Sequence, residues 1–388
     1  MRVLVLSSKP PYPIHDGAAI RTFQSIVFLN RMGYEVDVLY FSEHNDKETV
    51  EKGLSKYCRN IYQHTMSATM SRINVFKGLF TNCLPLQVNY YFSKKVKRWI
   101  LDHQDDYDMV YCNNIRTAEY AKDVRSKKVL DFVDALSMNY SSAKNKTKGL
   151  WHWIYTLDGY RCSKYEVDQL KVFDRNLIIS DVDRRYILNS VTGELPEITV
   201  IENFVRIDKS KRIDQKNVER NILFVGAMNY EPNVTAVTYF VKEVFPSILK
   251  LYPDLKFYIV GKSPRDEVKM LASDNVIVTG FVDDVWDYLK KAMVVVTPMR
   301  SGAGLQNKIL EALAVGACVV TSDIGFEGLR SAPGQPLVAR DAKTMAEAVL
   351  AFISDADYRN RQSVLSVEYV SEHYSEDGIF KKFEKALE

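Results

Sequence analysis

The stretch VVVTPMRSGAGLQNKILEALAVGACVVTS, Val294–Ser322, holds a complete structural unit. Its apolar run Val294–Pro298 and its β-branched run Val319–Ser322 read as two buried strands. Between them lie a small-residue loop and a helix that starts near Leu305. Gly302, Ala303 and Gly304 let the loop backbone come close to a ligand. A helix start presents unpaired N–H groups and the positive end of the dipole, which together suit an anion. Lys308 falls in the first turn, where a cation opposes the dipole, so a bound anion accounts for it better than helix stability does. Glu311 is three residues on and shares its face. A carboxylate there can accept two hydroxyl hydrogen bonds from a ribose, and an anion beside a ribose is a nucleoside diphosphate. The alternative is an ordinary strand-to-helix turn with a surface lysine and glutamate.

The same grammar recurs outward from this stretch. Short apolar runs alternate with longer amphipathic ones, which signals βα units around parallel sheets. In the first half the expected strands are Val3–Ser7, Glu35–Phe41, Met109–Asn113, Val129–Val133, Leu177–Ser180 and Thr199–Ile201. Between the first two, Ile20, Phe23, Ile26, Val27 and Leu29 form a helical stripe closed by Gly33. Arg206–Arg220 is highly charged, with two isoleucines and one valine, and reads as a linker. NILFVGAM, from Asn221, then starts a second series that continues with Phe257–Gly261, Val276–Gly280, Val294–Pro298 and Val319–Ser322. The expected organisation is a domain over 1–205, a linker over 206–220, a second domain over 221–365 and a C-terminal piece, 366–388, that crosses back. In that piece Ile379, Phe380, Phe383 and Leu387 share one helical face. Open α/β sheets bind ligands outside the carboxyl ends of their strands, so the expected site is the cleft between two such domains.

Composition narrows the function classes. The chain has 388 residues, 46% hydrophobic and 26% charged, with a net charge of +3. That is ordinary globular composition without a global nucleic-acid footprint. Cys58, Cys83, Cys112, Cys162 and Cys318 are scattered with no CxxC pair, which argues against a disulfide framework and a zinc site and fits a reducing cytosol. No run approaches the length of a membrane-spanning helix, and the apolar start is too short for a signal-peptide core. A cytoplasmic protein is expected, with peripheral contact at the inner face of the plasma membrane left open. Two segments keep it open: Arg72–Trp99 and Lys144–Glu166 mix basic residues with large aromatics, as segments at an anionic membrane interface do. Helices with core aromatics and solvated lysines are the other reading.

Two further stretches carry candidate chemistry. SSKPPYPIHDGAAIR, Ser7–Arg21, runs from a strand through a proline-stiffened loop to Gly17 at the mouth of a helix containing Arg21. It reads either as a second anion site, without the GxGxxG fingerprint of dinucleotide binding, or as a loop merely stiffened by prolines. In LFVGAMNYEPN, Gly226 ends the first strand of the second series. Gly226 and Asn229 then face the expected cleft or form a plain turn.

These pieces, with FYIVGKSP, VIVTGFVDDVWDYL and GFEGL, resemble the family 4 glycosyltransferases, which are retaining enzymes of the GT-B fold. More closely, they resemble a bacterial sugar-transferase subgroup of exopolysaccharide clusters. The resemblance is strong across Asn221–Leu329 and thinner over Glu43–Asp106. It implies two Rossmann-like, doubly wound α/β domains facing across a cleft. It also implies transfer of a hexose, with retention, from a UDP- or GDP-type nucleotide sugar to a saccharide or lipid-linked saccharide, in surface polysaccharide or glycoconjugate synthesis. Neither a cofactor nor a metal is expected, and no nucleic-acid partner. Residue by residue, Glu311 matches the ribose-binding glutamate, and the amides of Gly304, Leu305 and Gln306 match those that hold the diphosphate. Gly17 falls in the loop that closes on phosphate and sugar, and Val282 in the turn that contacts the base.

Three positions depart from the family. Ala303 stands where many members have a second glutamate. Ala227–Asn233 lacks their arginine and lysine, a charge that Lys308 could supply. Asp134, with Asp131 nearby, replaces a histidine; it could bond a sugar hydroxyl, activate the acceptor or cap a turn. A non-catalytic GT-B partner that binds a nucleotide sugar or a sister transferase is the competing function, and an epimerase or phosphorylase of the same architecture is a third.

Overall fold

The computed structural model describes residues 1–14, 17–145, 147–194, 196–214, 216–302 and 304–388, with the backbone alone at Lys209. The chain divides into two compact units, Met1–Asn203 with Phe380–Glu388, and Phe204–Ile379. Each is built on a parallel sheet.

In the first unit the strands are β1 (Arg2–Ser7), β2 (Glu35–Ser42), β3 (Cys58–Thr65), β4 (Met109–Asn113), β5 (Lys127–Asp131), β6 (Arg175–Ile178) and β7 (Thr199–Val200). Their order is β3-β2-β1-β4-β5-β6-β7. The near-continuous apolar runs of β1, β2 and β4 are buried on both faces, as a helix-covered parallel sheet requires. β3 was not expected from the sequence. It is a half-exposed, polar edge strand, CRNIYQHT, and lacks the apolar pattern that marks the others. It is held in register by pairing with β2 and by Asp37, which Arg59 and Asn60 both reach.

In the second unit the strands are β8 (Glu219–Val225), β9 (Lys256–Val260), β10 (Val276–Gly280), β11 (Ala292–Thr297), β12 (Val319–Ser322) and β13 (Leu337–Ala339), ordered β10-β9-β8-β11-β12-β13. In both sheets the strand order reverses beside the first strand, between β1 and β4 and between β8 and β11. Such switch points open a crevice at the carboxyl ends of the strands.

Two expected boundaries shift. Arg206–Arg220 is not a free linker but lies along the second unit. Its few apolar residues anchor it: Ile213 is buried, its amide donates to the Val315 carbonyl at 2.8 Å, and Ile207 and Val218 pack on the same cluster. The return to the first unit also comes later than 366. The helix Ala356–His373 stays on the second unit through Tyr369 and Val370. The next helix, Glu376–Leu387, carries the chain back, with Phe380 and Phe383 each 5.4 Å from the Phe28 ring of the helix Gly17–Arg31.

Candidate active site

The second unit's site forms where β8, β9 and β11 end. Gly226 and Gly261 bring two backbones together there: a Cβ on Gly261 would lie 1.7 Å from the Gly226 carbonyl oxygen, so no side chain fits. After β11 the chain turns sharply at Pro298, with the Met299 amide donating to the Thr297 carbonyl at 2.8 Å. It then passes Gly304, whose φ of 82° only glycine adopts without strain, and enters the helix Asn307–Ala314. Ala303 lies outside the described residues.

Lys308 points from the first turn of that helix toward the crevice between β8 and β11. Its Nζ donates to Asn233 Oδ1 at 2.5 Å and sits 4.8 Å from the centre of the Phe224 ring. Burial pushes its ammonium down to about 8, while Glu311 pulls it the other way. Part of the Glu311 side chain is open to solvent, yet the protein packed around its carboxyl pushes it upward, against the pull of Lys308. Lys308, Glu311 and Thr297 line one cavity of about 20 Å³, room for a single water. Thr297 Oγ1 is buried there without a partner among the described residues.

Asn233 and Thr297 were not singled out in the sequence. Asn233 Nδ2 donates to the Ala227 carbonyl at 3.0 Å, so one amide ties the loop after β8 to Lys308. Asn233 lies in the first turn of the helix Glu231–Tyr239, and nothing local in Glu231-Pro232-Asn233 marks it as a partner of Lys308. Asn229 is exposed, and its carbonyl accepts from Arg265 Nη2 at 2.8 Å. The cation absent from Ala227–Asn233 is thus supplied beside that loop by the loop after β9, although Arg265 is also paired with Glu231 and Glu267. Val282 lies in the turn after β10 and packs on the cluster that includes Ile309 and Leu313. Gly304, Leu305 and Gln306 lead into the helix, where the sequence placed them.

The first unit holds the other candidates. Gly17 is exposed at the start of the helix Gly17–Arg31. Arg21 is a correction: it is 2% exposed and serves the core instead of a bound anion. Its Nε donates to Asp131 Oδ2 at 2.6 Å and its Nη1 to the Ile201 carbonyl at 2.8 Å, and Tyr111 donates to the same carboxylate at 2.7 Å. Asp131 is thereby also structural. An apolar stripe with one arginine looks the same in sequence whether that arginine faces a ligand or a buried carboxylate.

Asp134 is different. The Asp134 amide donates to the Phe132 carbonyl at 2.8 Å, closing a γ-turn with Val133 at φ 68°. A β-branched residue at that φ is strained, and such strain concentrates at functional sites. The turn leaves Asp134 half-buried, bonded to Asn139 Nδ2 at 2.7 Å. Burial pushes its carboxyl upward, with Asp183 adding and Arg116 opposing. Arg116 also lines a cavity of about 370 Å³ with Lys9, Gln87, Tyr90 and Tyr91, at the β1–β4 switch point. Its Nε donates to Gln87 Oε1 at 2.6 Å. Among the described residues no group of three or more His, Cys, Asp or Glu is placed to hold a metal ion.

Known proteins agree with this architecture. Residues 219–355 match the family model described as Glycosyl transferases group 1. A 44.6 kDa protein of the cps region of Klebsiella pneumoniae is 23% identical, over 99% of both chains. A phosphatidyl-myo-inositol mannosyltransferase of Mycolicibacterium smegmatis is 26% identical over 47% of this chain and 49% of its own. The crystal structure of Anabaena HepE in complex with UDP superposes with a TM-score of 0.71 at 12% identity, over 100% of this chain and 99% of that one. Residues 219–355 therefore resemble the group 1 glycosyl transferases, and the chain as a whole has the GT-B fold.

Proposed function

We propose that the protein transfers a sugar, with retention of anomeric configuration, from a UDP- or GDP-type nucleotide sugar to a saccharide or lipid-linked saccharide in bacterial surface polysaccharide synthesis. The observation that carries this reading is the placement of Lys308, Asn233 and Glu311 at the β8–β11 switch point, beside a glycine-lined helix entry. The cps-region relative and HepE's complexes with UDP and UDP-glucose support it.

Departure of a nucleoside diphosphate leaves positive charge on the sugar and new negative charge on the leaving phosphate. Stabilising that phosphate is the protein's main task, and groups fixed in advance do it best. Lys308 is such a group, since Asn233 and the Phe224 ring hold its ammonium before any ligand arrives. The amides of Gly304, Leu305 and Gln306 add donors at the helix entry, and Glu311 receives the ribose hydroxyls. Gly226, Asn229 and Val282 border the donor through backbone, and Gly17 meets its phosphate and sugar side. With Lys308 supplying the charge, transfer proceeds without a divalent metal, and the leaving phosphate acts as base in a front-face attack. Asp134, its carboxyl pushed upward, bonds a donor-sugar hydroxyl or the acceptor, and the cavity beside Arg116 receives the acceptor.

A panel of UDP, GDP, ADP and their sugars tests the reading by thermal shift, since a ligand that binds only the folded chain raises its melting point by mass action. One nucleotide series should stand out, and its sugar should be hydrolysed or transferred in the presence of EDTA. A stabilising donor that is never turned over would instead indicate a non-catalytic binding partner.

A further inference from the structure

One helix of the first unit is built inside out. In the helix Ala68–Thr81 the buried residues are Ser71 and Gly78, one small residue every two turns. Gly78 is small because it packs on Asn89: a Cβ there would fall 2.4 Å from the Asn89 side chain. The opposite face carries Met70, Ile73, Phe76 and Phe80, spaced to share one side of a 3.6-residue helix. All four are exposed, Phe76 to 68% and Phe80 to 73%, with their rings 5.3 Å apart. A helix that serves only its own core shows the reverse pattern.

A second exposed group lies on the helix Gly149–Gln169, whose first turns show Leu150, Trp151 and Trp153 to solvent. That helix is fixed to the first: Arg161 Nη2 donates to the Leu79 carbonyl at 3.0 Å. Both groups sit in sequence without a carboxylate. Met66–Leu101 contains six Lys and Arg, and Ala135–Leu157 three Lys, with no Asp or Glu in either segment. Among the basic residues, Arg72, Lys77, Lys94, Lys95, Arg98 and Lys148 are exposed.

We infer that this face docks on an anionic lipid surface, the phenylalanines and tryptophans entering the headgroup boundary and the lysines and arginines meeting lipid phosphates. Exposed aromatics beside exposed lysines and arginines match that boundary, where tryptophan and lysine both concentrate, although Glu43 on Tyr90 and Asp123 on Lys97 place two carboxylates against the basic segment. A protein partner wide enough to cover two helices would have to be uniformly acidic to tolerate so many cations. The inference does not depend on the donor reading, because it uses none of the residues assigned to the donor or to the reaction. It adds to that reading a bilayer from which a lipid-linked acceptor can be drawn. The cavity that holds Arg116 is lined in part by Val75, on the same helix as Phe76.

The test is co-sedimentation of the full chain with vesicles of phosphatidylcholine alone or with about 30% phosphatidylglycerol, at low and at about 0.5 M salt. The chain should sediment with the anionic vesicles only, and less at high salt. F76S/F80S and W151S/W153S should each lower the vesicle affinity roughly tenfold or more. Because these side chains are exposed, both variants should keep the parent's melting temperature and its response to UDP or GDP. No sedimentation, equal binding to neutral vesicles, or variants that bind like the parent would each overturn the proposal. Light scattering on the vesicle-free protein should show no dimer that F76S/F80S dissolves; such a dimer would assign the face to a second copy of the chain.

Discussion

Replacing Lys308 with methionine should weaken nucleotide binding and stabilise the empty protein at the same time. Lys308 is held with its ammonium near 8, against an ordinary 10.5, and the first cause is burial. In the folded chain the charge is therefore disfavoured, whereas the unfolded chain carries it freely. Between about pH 8 and 10.5 the unfolded state binds more protons, so the parent's stability rises with pH across that window. Below it the full penalty is present, at most about 3 kcal/mol at roughly 1.36 kcal/mol for each tenfold loss of proton affinity, and less where water reaches the amine. Lys308→Met removes the penalty while keeping an unbranched side chain beside the Phe224 ring. The expected gain at pH 7 is about 1–2 kcal/mol, because Asn233 Oδ1 loses its donor. A bound diphosphate should push the ammonium back up. Parent affinity for the preferred nucleoside diphosphate should then fall about tenfold per pH unit above 8, and the methionine variant should bind about 100-fold more weakly with a flat pH profile. Isothermal titration from pH 7 to 9.5 and urea melts at the same pH values read both halves. A variant that binds like the parent, or a parent profile without a break near pH 8, would remove Lys308 from the donor site.

Other perturbations separate the structural groups from the functional ones. Arg21→Met should cost about 3–5 kcal/mol in urea melts, because it strands Asp131 as a buried charge; an unchanged melt would deny Arg21 its core role. Glu166 is fully buried against Ser137, and burial lifts its carboxyl to about 7. The folded chain thus binds the extra proton, and stability should fall as pH rises from about 4.5 to 7, by up to about 3 kcal/mol. Glu166→Gln should flatten that slope in melts taken at pH 5 and pH 8. Asp134→Asn should lower kcat about 100-fold or more while donor affinity, read by titration, stays within about threefold. A loss of donor affinity with kcat preserved would move Asp134 out of the reacting centre.

How far the sequence alone could be read depended on where the deciding contacts lie. Doubly wound sheets announce themselves through apolar strands buried on both faces, and β4, β10 and β12 have the bounds their patterns suggested. β3 and β13 did not announce themselves, since one is polar and half-exposed and the other only three residues long. Lys308 and Glu311 stood out in the sequence because a lysine at a helix start is an anomaly that local physics does not explain, and the two line one cavity. Asn233 did not, because its role exists only once β8 and β11 lie side by side and bring residues 75 positions apart within 2.5 Å. Arg21 shows the opposite case: its partner Asp131 is 110 positions away, and no local pattern tells a buried ion pair from an anion site. The linker misled through its charge, when its two isoleucines were what fixed it to the second unit.

Everything proposed for the donor requires that the second unit grip a nucleoside diphosphate with Lys308 and the amides that open its helix. Diffraction from crystals of the full chain soaked with UDP or GDP would show this grip or its absence. The expected density places the diphosphate within hydrogen-bond reach of Lys308 Nζ and the amides of Gly304–Gln306, with the ribose on Glu311. A nucleotide bound elsewhere, with Lys308 still on Asn233 and Glu311 facing water, would contradict it.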